Sequence, residues 1–396
     1  MTRVICPHNK CTGCAVCRDI CPKKCISMLR DELDATHPVI DEQVCISCGL
    51  CEKTCPNNVK LVFRQSQKVW AAWSNDEAVR KNSASGGIAF ELYRHWLDIG
   101  GVAAGVVYDR NEGCHFILIK DEAEIASTQN SKYTFSDTCG IYRDVKNYLD
   151  SGIPVLFIGV PCQVAGLLSY LKKDYSNLTT VDIICHGMPP ATYLQQHIKS
   201  IEDKRKRLTK YLSFRDPKFE TYTFTFTLRD SKGRMFYKRN VLDTDNFQLG
   251  YHKALIYREN CYNCIYACKE RISDLTIGDF SGLGRCAPLY FARLNTSCVL
   301  QNTDKGADLL SQMRRVSMIQ RPSQEAFDFE KQLNAPSMKH PMRDVFVNVY
   351  SRSKNFKLAS NKALAREKVN AVKHAIIQKI KVFVYNLLVI TGIKKG

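Results

Sequence analysis

The residues best able to do chemistry in this chain are its cysteines. Twelve of the nineteen fall into spacings that suit metal clusters. Cys11-x2-Cys14-x2-Cys17-x3-Cys21-Pro22 is written again as Cys45-x2-Cys48-x2-Cys51-x3-Cys55-Pro56. Three closely spaced thiolates grip one face of an iron–sulfur cube, and the fourth, followed by Pro, reaches the other cube. The pattern assigns Cys11, Cys14, Cys17 and Cys55 to one 4Fe-4S cluster, and Cys45, Cys48, Cys51 and Cys21 to a second. A single CxxC would leave zinc or a disulfide knot open, whereas two complete units weigh against both. Cys6 and Cys25 lie outside the pattern and receive no ligand role.

A second group of cysteines is scattered. Residues 153–187 read as a β–loop–α–β unit. Ile153–Ile158 is a short apolar run, as expected of a strand buried on both faces. Gly159–Gln163 is expected as a loop, Val164–Lys172 as a helix and Thr179–Ile184 as the next strand, which delivers Cys185. Cys162 and Cys185 then stand at the carboxyl ends of neighbouring strands, where ligands collect in open α/β sheets. One such cysteine is most often a buried thiol; two in matching positions ask for a joint explanation. With Cys261 and Cys264 they make four thiolates, enough for a third 4Fe-4S cluster. Zinc accepts the same four, and the electron-carrying pattern upstream favours iron–sulfur.

The elements that must position these groups suggest a mixed α/β (α+β) catalytic domain. A small ferredoxin-like domain precedes it and a helical C-terminal tail follows. The 396 residues, 45 % hydrophobic, suffice for two or three domains with a real core. We expect residues 1–62 to form the ferredoxin-like domain, 63–345 the catalytic domain and 346–396 a basic amphipathic tail. Asp31–Asp41 is acidic and suits a short hairpin or loop between the cysteine units. A run around Ser83, Ser85, Gly86 and Gly87 opens a helix over Ile88–Leu97; Ser and Gly there present free backbone N–H groups to a phosphate, or simply cap the helix. Lys132, in the polar and aromatic stretch Ser131-Lys132-Tyr133 through Ser136, is a candidate contact for a cofactor phosphate or a flavin carbonyl; the alternative is a surface lysine. Residues 211–240, with Thr221–Leu228 alternating, suggest an antiparallel strand pair.

The formal charge is +18, and residues 352–396 carry eleven Lys or Arg against Glu367 alone. Lys204–Arg207 is a second basic run. No nucleic-acid motif accompanies the charge, so no nucleic-acid partner is expected. Solvated basic faces, an acidic electron-donor protein or an anionic membrane surface suit it better. From Val372 apolar residues recur at Ile376, Ile380, Phe383, Leu387 and Ile390, one face of a helix. Ile376–Ile390 is short of the roughly 20 residues that span a bilayer. The tail therefore either docks on protein or lies on the inner membrane face. The first residues lack an apolar stretch, and the cysteine spacing suits a reducing compartment, so a cytoplasmic location is expected.

Several of these stretches together resemble the beta-subunit family of coenzyme F420 hydrogenases and dehydrogenases, in its ferredoxin-fused form. They are Ser85-Gly86-Gly87, Ser131-Lys132-Tyr133 with Ser136, Pro161-Cys162-Gln163, Cys185, Cys261-x2-Cys264, and Asp274 through Gly278-Asp279. The resemblance implies FAD, a 4Fe-4S cluster at Cys162, Cys185, Cys261 and Cys264, and flavin contacts near Ser83–Gly87 and Ser131–Ser136. Electrons would come from reduced ferredoxin or a deazaflavin such as coenzyme F420 and pass to a small-molecule substrate. The absence of a G-x-G-x-x-G between strand and helix disfavours a nicotinamide donor. The resulting expectation is an iron–sulfur flavoprotein oxidoreductase. The alternative is an electron-transfer subunit of a larger complex with no substrate site of its own, and the sequence also allows a homo-oligomer.

Overall fold

The computed structural model describes residues 4–390, other than Leu242, Ala292 and Arg293; side chains at 374, 375, 378, 379, 382, 383 and 385–390 lie outside the description. Thirteen strands form three sheets among the described residues. The first is the hairpin β1 (Ile26–Arg30) and β2 (Thr36–Ile40); it takes the hairpin form of the expectation, but its first strand lies before Asp31, and only the turn and β2 fall within Asp31–Asp41. The main sheet contains β3 (Lys68–Ser74), β4 (Val102–Asp109), β5 (Gly113–Ile119), β6 (Val155–Gly159) and β7 (Leu178–Ile183). The third sheet is β8 (Tyr211–Ser213), β9 (Phe226–Arg229) and β10 (Met235–Arg239). The main sheet is completed by β11 (Leu275–Asp279), β12 (Ser297–Gln301) and β13 (Val316–Arg321), in the order β13-β3-β12-β11-β7-β6-β4-β5.

The four central strands β11, β7, β6 and β4 run parallel, and the flanks are antiparallel. Every residue of β6 is buried, which is the reason its sequence is continuously apolar. Helix Ile88–Asp98 packs Ile88, Leu92 and Trp96 on one face of the sheet. Helices Ile141–Asp150 and Pro161–Leu171 cover the other, with Tyr142, Val164 and Leu167 fully buried. The chain is thus a mixed α/β protein with an N-terminal two-unit cysteine domain and a helical C-terminal region.

Two expectations are corrected. The helix after β6 starts at Pro161 rather than Val164, so Cys162 stands in its first turn and not in a loop. Proline suits the first helical position because its missing N–H has no partner there anyway. The Gln163 side chain closes the turn by accepting from Val160 N–H at 3.3 Å. The alternating run Thr221–Leu228 is a strand only from Phe226; Thr221–Thr223 is a short 3-10 turn. Side chains take the carbonyls that a ladder would need. Arg215 Nε donates to Thr221 O at 2.8 Å, Asn240 Nδ2 to Thr223 O at 3.0 Å and Gln248 Nε2 to Phe224 O at 2.8 Å.

The C-terminal segment is not all tail. Helices Arg343–Ser353 and Phe356–Ala363 insert Phe346, Tyr350 and Phe356, all fully buried, against Tyr193 of helix Ala191–Arg205. These elements also hold the β1–β2 turn. Tyr350 Oη donates to Asp34 Oδ2 at 2.5 Å, Tyr193 Oη to Leu33 O at 2.8 Å and Lys354 Nζ to Glu32 O at 2.5 Å. The last helix, Ala365–Ile390, touches the body at its start, where Glu367 meets His340 at 3.2 Å and Lys368 donates to Asn246 and Asn361. Beyond that turn its Val369, Val372, Ile376, Ile377, Ile380 and Val384 are all exposed. Phe383, Leu387 and Ile390, which complete the expected apolar face, lie outside the described side chains. No helix among the described residues is long and apolar enough to cross a membrane.

A buried ion pair ties the cysteine-bearing segments to the sheet. Asp182 on β7 meets Arg271 at 2.7 Å. Arg271 also donates to the carbonyls of Tyr266 and Cys268, and its backbone bridges to Arg64 in the linker from the N-terminal domain. Leaving Arg271 buried and unpaired is costly. Asp182→Asn is therefore expected to reduce stability by about 3–5 kcal/mol in anaerobic denaturant melts. A loss under about 1 kcal/mol, the range of exposed pairs, would show that the pair braces nothing.

Candidate functional site

The two N-terminal cysteine units are wound alike. Gly13 (φ 70°) and Ala15 (φ 61°) adopt left-handed backbone in the first unit, and Ser47 (φ 55°) and Gly49 (φ 73°) do so at the equivalent places in the second. Such winding suits glycine best, and each unit has glycine at one of its two positions. Cys11, Cys14, Cys17 and Cys55 are buried, whereas Cys21, Cys45 and Cys51 are half-buried and Cys48 is exposed. Two cysteines outside the motif come close as well. The Cys6 thiol hydrogen-bonds toward Cys11 and Cys55 and pulls Cys11 down, and Cys25 Sγ lies 3.4 Å from Cys21 Sγ.

Cys162, Cys185, Cys261 and Cys264 converge from three places. Cys162 sits on the first turn of helix Pro161–Leu171, Cys185 just past the end of β7, and Cys261 and Cys264 around the 3-10 turn Glu259–Asn263. Burial raises all four thiols, Cys264 to about 11; neighbouring thiols of the same group add to the rise at Cys162, Cys185 and Cys264. As free thiols they are neutral, and only a bound cation would hold them as thiolates. Cys261 Sγ accepts from Met188 N–H at 3.4 Å.

This group backs onto the N-terminal domain. A Cβ on Gly166, one turn along the helix from Cys162, would lie 3.2 Å from Cys14 Cβ and 2.6 Å from Tyr142 Oη. The absent side chain lets the Cys14 loop rest on the helix. Arg258, three residues before Cys261, is buried; it donates to Thr36 O at 3.0 Å and Cys11 O at 3.4 Å and lies over the Phe135 ring.

On its other side the group opens into a cavity of about 600 Å³, lined at one point by Cys185. Seven of the eight residues expected to touch a flavin line it: Ser83, Ser85, Gly87, Ser131, Lys132, Tyr133 and Ser136. Gly86 is the exception. Its N–H bonds Ser297 Oγ at 2.9 Å, and a Cβ there would meet Ala72 O at 2.2 Å, so it serves close packing beneath the loop. Ser85 Oγ pairs with Ser297 Oγ at 2.7 Å. Lys132 is not a surface lysine. Its Nζ donates to the carbonyls of Thr128, Gln129 and Asn130 at 2.5–3.4 Å, closing the end of helix Glu122–Thr128, and burial pulls it down to about 8. Asp274 lies off the cavity, bonded to Thr180 and Thr303.

Sequence reasoning missed several of the walls. Tyr133 stacks on Tyr251 with ring centroids 4.4 Å apart. Arg215 pairs with Asp279 at 2.6 Å and lies over the Phe224 ring. His252 is pulled down to about 4 by burial, and its Nε2 is buried without a hydrogen-bond partner, as is Thr134 Oγ1 on the same wall. Arg215 and His252 are 37 residues apart in sequence and carry no motif that would have joined them.

The tight fit at Gly166 gives a direct prediction. Gly166→Ala should lower stability by about 1–3 kcal/mol, the usual cost of overpacking, and lower the iron content. Adding Tyr142→Phe removes the hydroxyl that the new methyl strikes and should recover part of the loss. A Gly166→Ala protein with unchanged iron and stability would show that the approach is not tight.

The comparisons with known proteins follow the same layout. The profile described as coenzyme F420 hydrogenase/dehydrogenase, beta subunit N-term, matches residues 69–141, and its counterpart for the C terminus matches 154–325. A 4Fe-4S dicluster domain profile matches residues 10–59. Among solved structures, the chain is similar to one from the F420-reducing NiFe hydrogenase complex of Methanosarcina barkeri. That match has 16 % identity, covers 76 % of this chain and 91 % of the other, and has a TM-score of 0.43. A search of curated proteins gave no match. Three profiles in unbroken order along most of the chain make it a member of the coenzyme F420 hydrogenase/dehydrogenase beta-subunit family, with a 4Fe-4S dicluster domain at its N-terminal end.

Proposed function

We propose that the chain is an FAD- and iron–sulfur-dependent oxidoreductase. It would carry electrons between a ferredoxin or deazaflavin partner and a small-molecule substrate, with 4Fe-4S clusters and FAD between them. One observation carries this reading: the dicluster domain, the four-cysteine group and the 600 Å³ cavity are in unbroken contact, through Cys14 and Gly166 on one side and Cys185 on the other. When bound, the clusters would supply one-electron relay and FAD the conversion to two-electron chemistry.

The residues present fit these groups. Four thiols gathered from three elements give the ligand number of a four-iron cube, and the dicluster domain beside them favours iron–sulfur over zinc. The cavity volume lies within the ordinary range for cofactor sites. The Ser83–Gly87 loop leads into helix Ile88–Asp98, whose first N–H groups suit a phosphate. Tyr133 and Tyr251 offer a stacking wall, and the Arg215–Asp279 pair holds one end of the wall in place. Lys132 acts on this site by fixing its loop.

Anaerobic purification with iron, sulfide and flavin analysis tests the proposal. About twelve irons and one FAD per chain are expected for three four-iron clusters. Cys162→Ser and Cys264→Ser should each fall to about eight irons while keeping both N-terminal clusters in the spectrum. Eight irons in the unaltered protein, or no loss in the variants, would remove the third cluster.

The last helix supports a second part of the reading, peripheral contact with the inner membrane face. Its exposed apolar stripe from Val369 to Val384 is flanked by Lys368 and Lys381. A basic amphipathic helix of this kind binds anionic bilayers. Ser360 is fully buried, so a shortened chain should end at Leu364 and keep the two docked helices. That chain is expected to keep its iron and flavin but lose binding to phosphatidylglycerol liposomes at low salt. Equal binding with and without the helix, or none by the full chain, would exclude the membrane role.

A further inference from the structure

A second cavity, of about 260 Å³, shares no wall residue with the first. Lys204 and Arg205 project from the end of helix Ala191–Arg205, Arg239 from the end of β10, Lys357 from helix Phe356–Ala363 and Lys368 from the start of the last helix. Four separate elements thus bring five cations to one concave surface. Among the described residues none of the five forms an ion pair with a carboxylate.

The wall does contain one carboxylate, Asp245, but its oxygens are already engaged. Oδ1 accepts from the backbone N–H groups of Phe247 and Gln248 at 2.9 and 2.8 Å. Oδ2 accepts from Tyr237 Oη at 2.6 Å and lies 2.8 Å from His197 Nε2. Its side chain is fully buried, so it cannot fold outward to neutralise the rim. Lys368 is half-buried and held by the side-chain oxygens of Asn246 and Asn361, which aim it into the cavity; burial pulls it down, the Asp245 carboxylate opposes that, and Lys357 adds to the fall. The Arg239 guanidinium is steadied over the Tyr237 ring. Gathering five cations around a single, already engaged carboxylate is unfavourable, and a multiply charged anion would relieve it.

We propose that this cavity binds phosphate groups, either a soluble diphosphate-class ligand or the headgroup of an anionic lipid. Lysine and arginine head groups from different elements suit a tetrahedral, multiply charged oxyanion better than a lone carboxylate. The exposed stripe of the last helix begins one residue after Lys368, which brings a headgroup in the cavity next to a surface suited to acyl chains. This inference does not depend on the redox reading.

The full-length, cluster-loaded protein serves for the test, with inorganic diphosphate and phosphatidylglycerol vesicles as probes and phosphatidylcholine vesicles as the neutral comparison. The variant K204A/R205A/R239A changes positions outside the cysteine and flavin machinery, and iron and flavin content check its integrity. Calorimetry should show diphosphate binding, or flotation should show vesicle binding, that weakens at least tenfold in the triple variant. Loss confined to diphosphate identifies a soluble ligand, and loss confined to vesicles identifies a headgroup. If the triple variant fails to load its clusters, the single variants K204Q and R239Q are measured instead. Absence of both kinds of binding, or wild-type affinity in the charge-removed variants, would overturn the proposal.

Discussion

The arrangement depends on one close approach, that of the Cys14 loop to the first turns of helix Pro161–Leu171. A side chain at residue 166 would strike the buried Tyr142 hydroxyl and crowd Cys14. With glycine there, the dicluster domain and the four-cysteine group share one apolar core that excludes bulk water. Such cores do not deform smoothly. A shift of the helix would therefore move Cys162 and the Cys14 loop together.

Polar contacts hold this approach in register from both ends. Arg258 joins the cysteine loop, through Cys11 and Thr36, to the segment that delivers Cys261 and Cys264. Asp182 and Arg271 fix the far end of that segment to the strand that delivers Cys185. At the opposite edge, Tyr193 and Tyr350 hold the β1–β2 turn. Removing one partner of a buried charged pair costs more than the pair contributes in isolation, so such ties specify position more than they add stability.

How much could be read in advance depended on distance along the chain. The N-terminal cysteine units were legible because ligand spacing and turn geometry are local, and the same left-handed positions recur in both. The β6–helix–β7 unit was legible from its apolar run, but its helix began three residues early because Pro161 favours the first turn. Long-range partners were not legible. Gly86 is needed because of Ala72 and Ser297, and Thr221 leaves its strand because Arg215 takes its carbonyl. In the C-terminal segment, charge masked apolar content: Phe346, Tyr350 and Phe356 dock within a stretch that read as basic tail, and only the final helix keeps an exposed stripe.

The central claim is that the four-cysteine group joins the dicluster domain to the 600 Å³ cavity. With FAD in that cavity as proposed, the most direct test is the rate of flavin reduction when the N-terminal clusters are reduced in stopped flow, compared between the unaltered protein and Cys264→Ser with both N-terminal clusters intact. The account predicts that the variant retains cluster reduction but loses flavin reduction by orders of magnitude. Flavin reduction at the unaltered rate in the variant would contradict it.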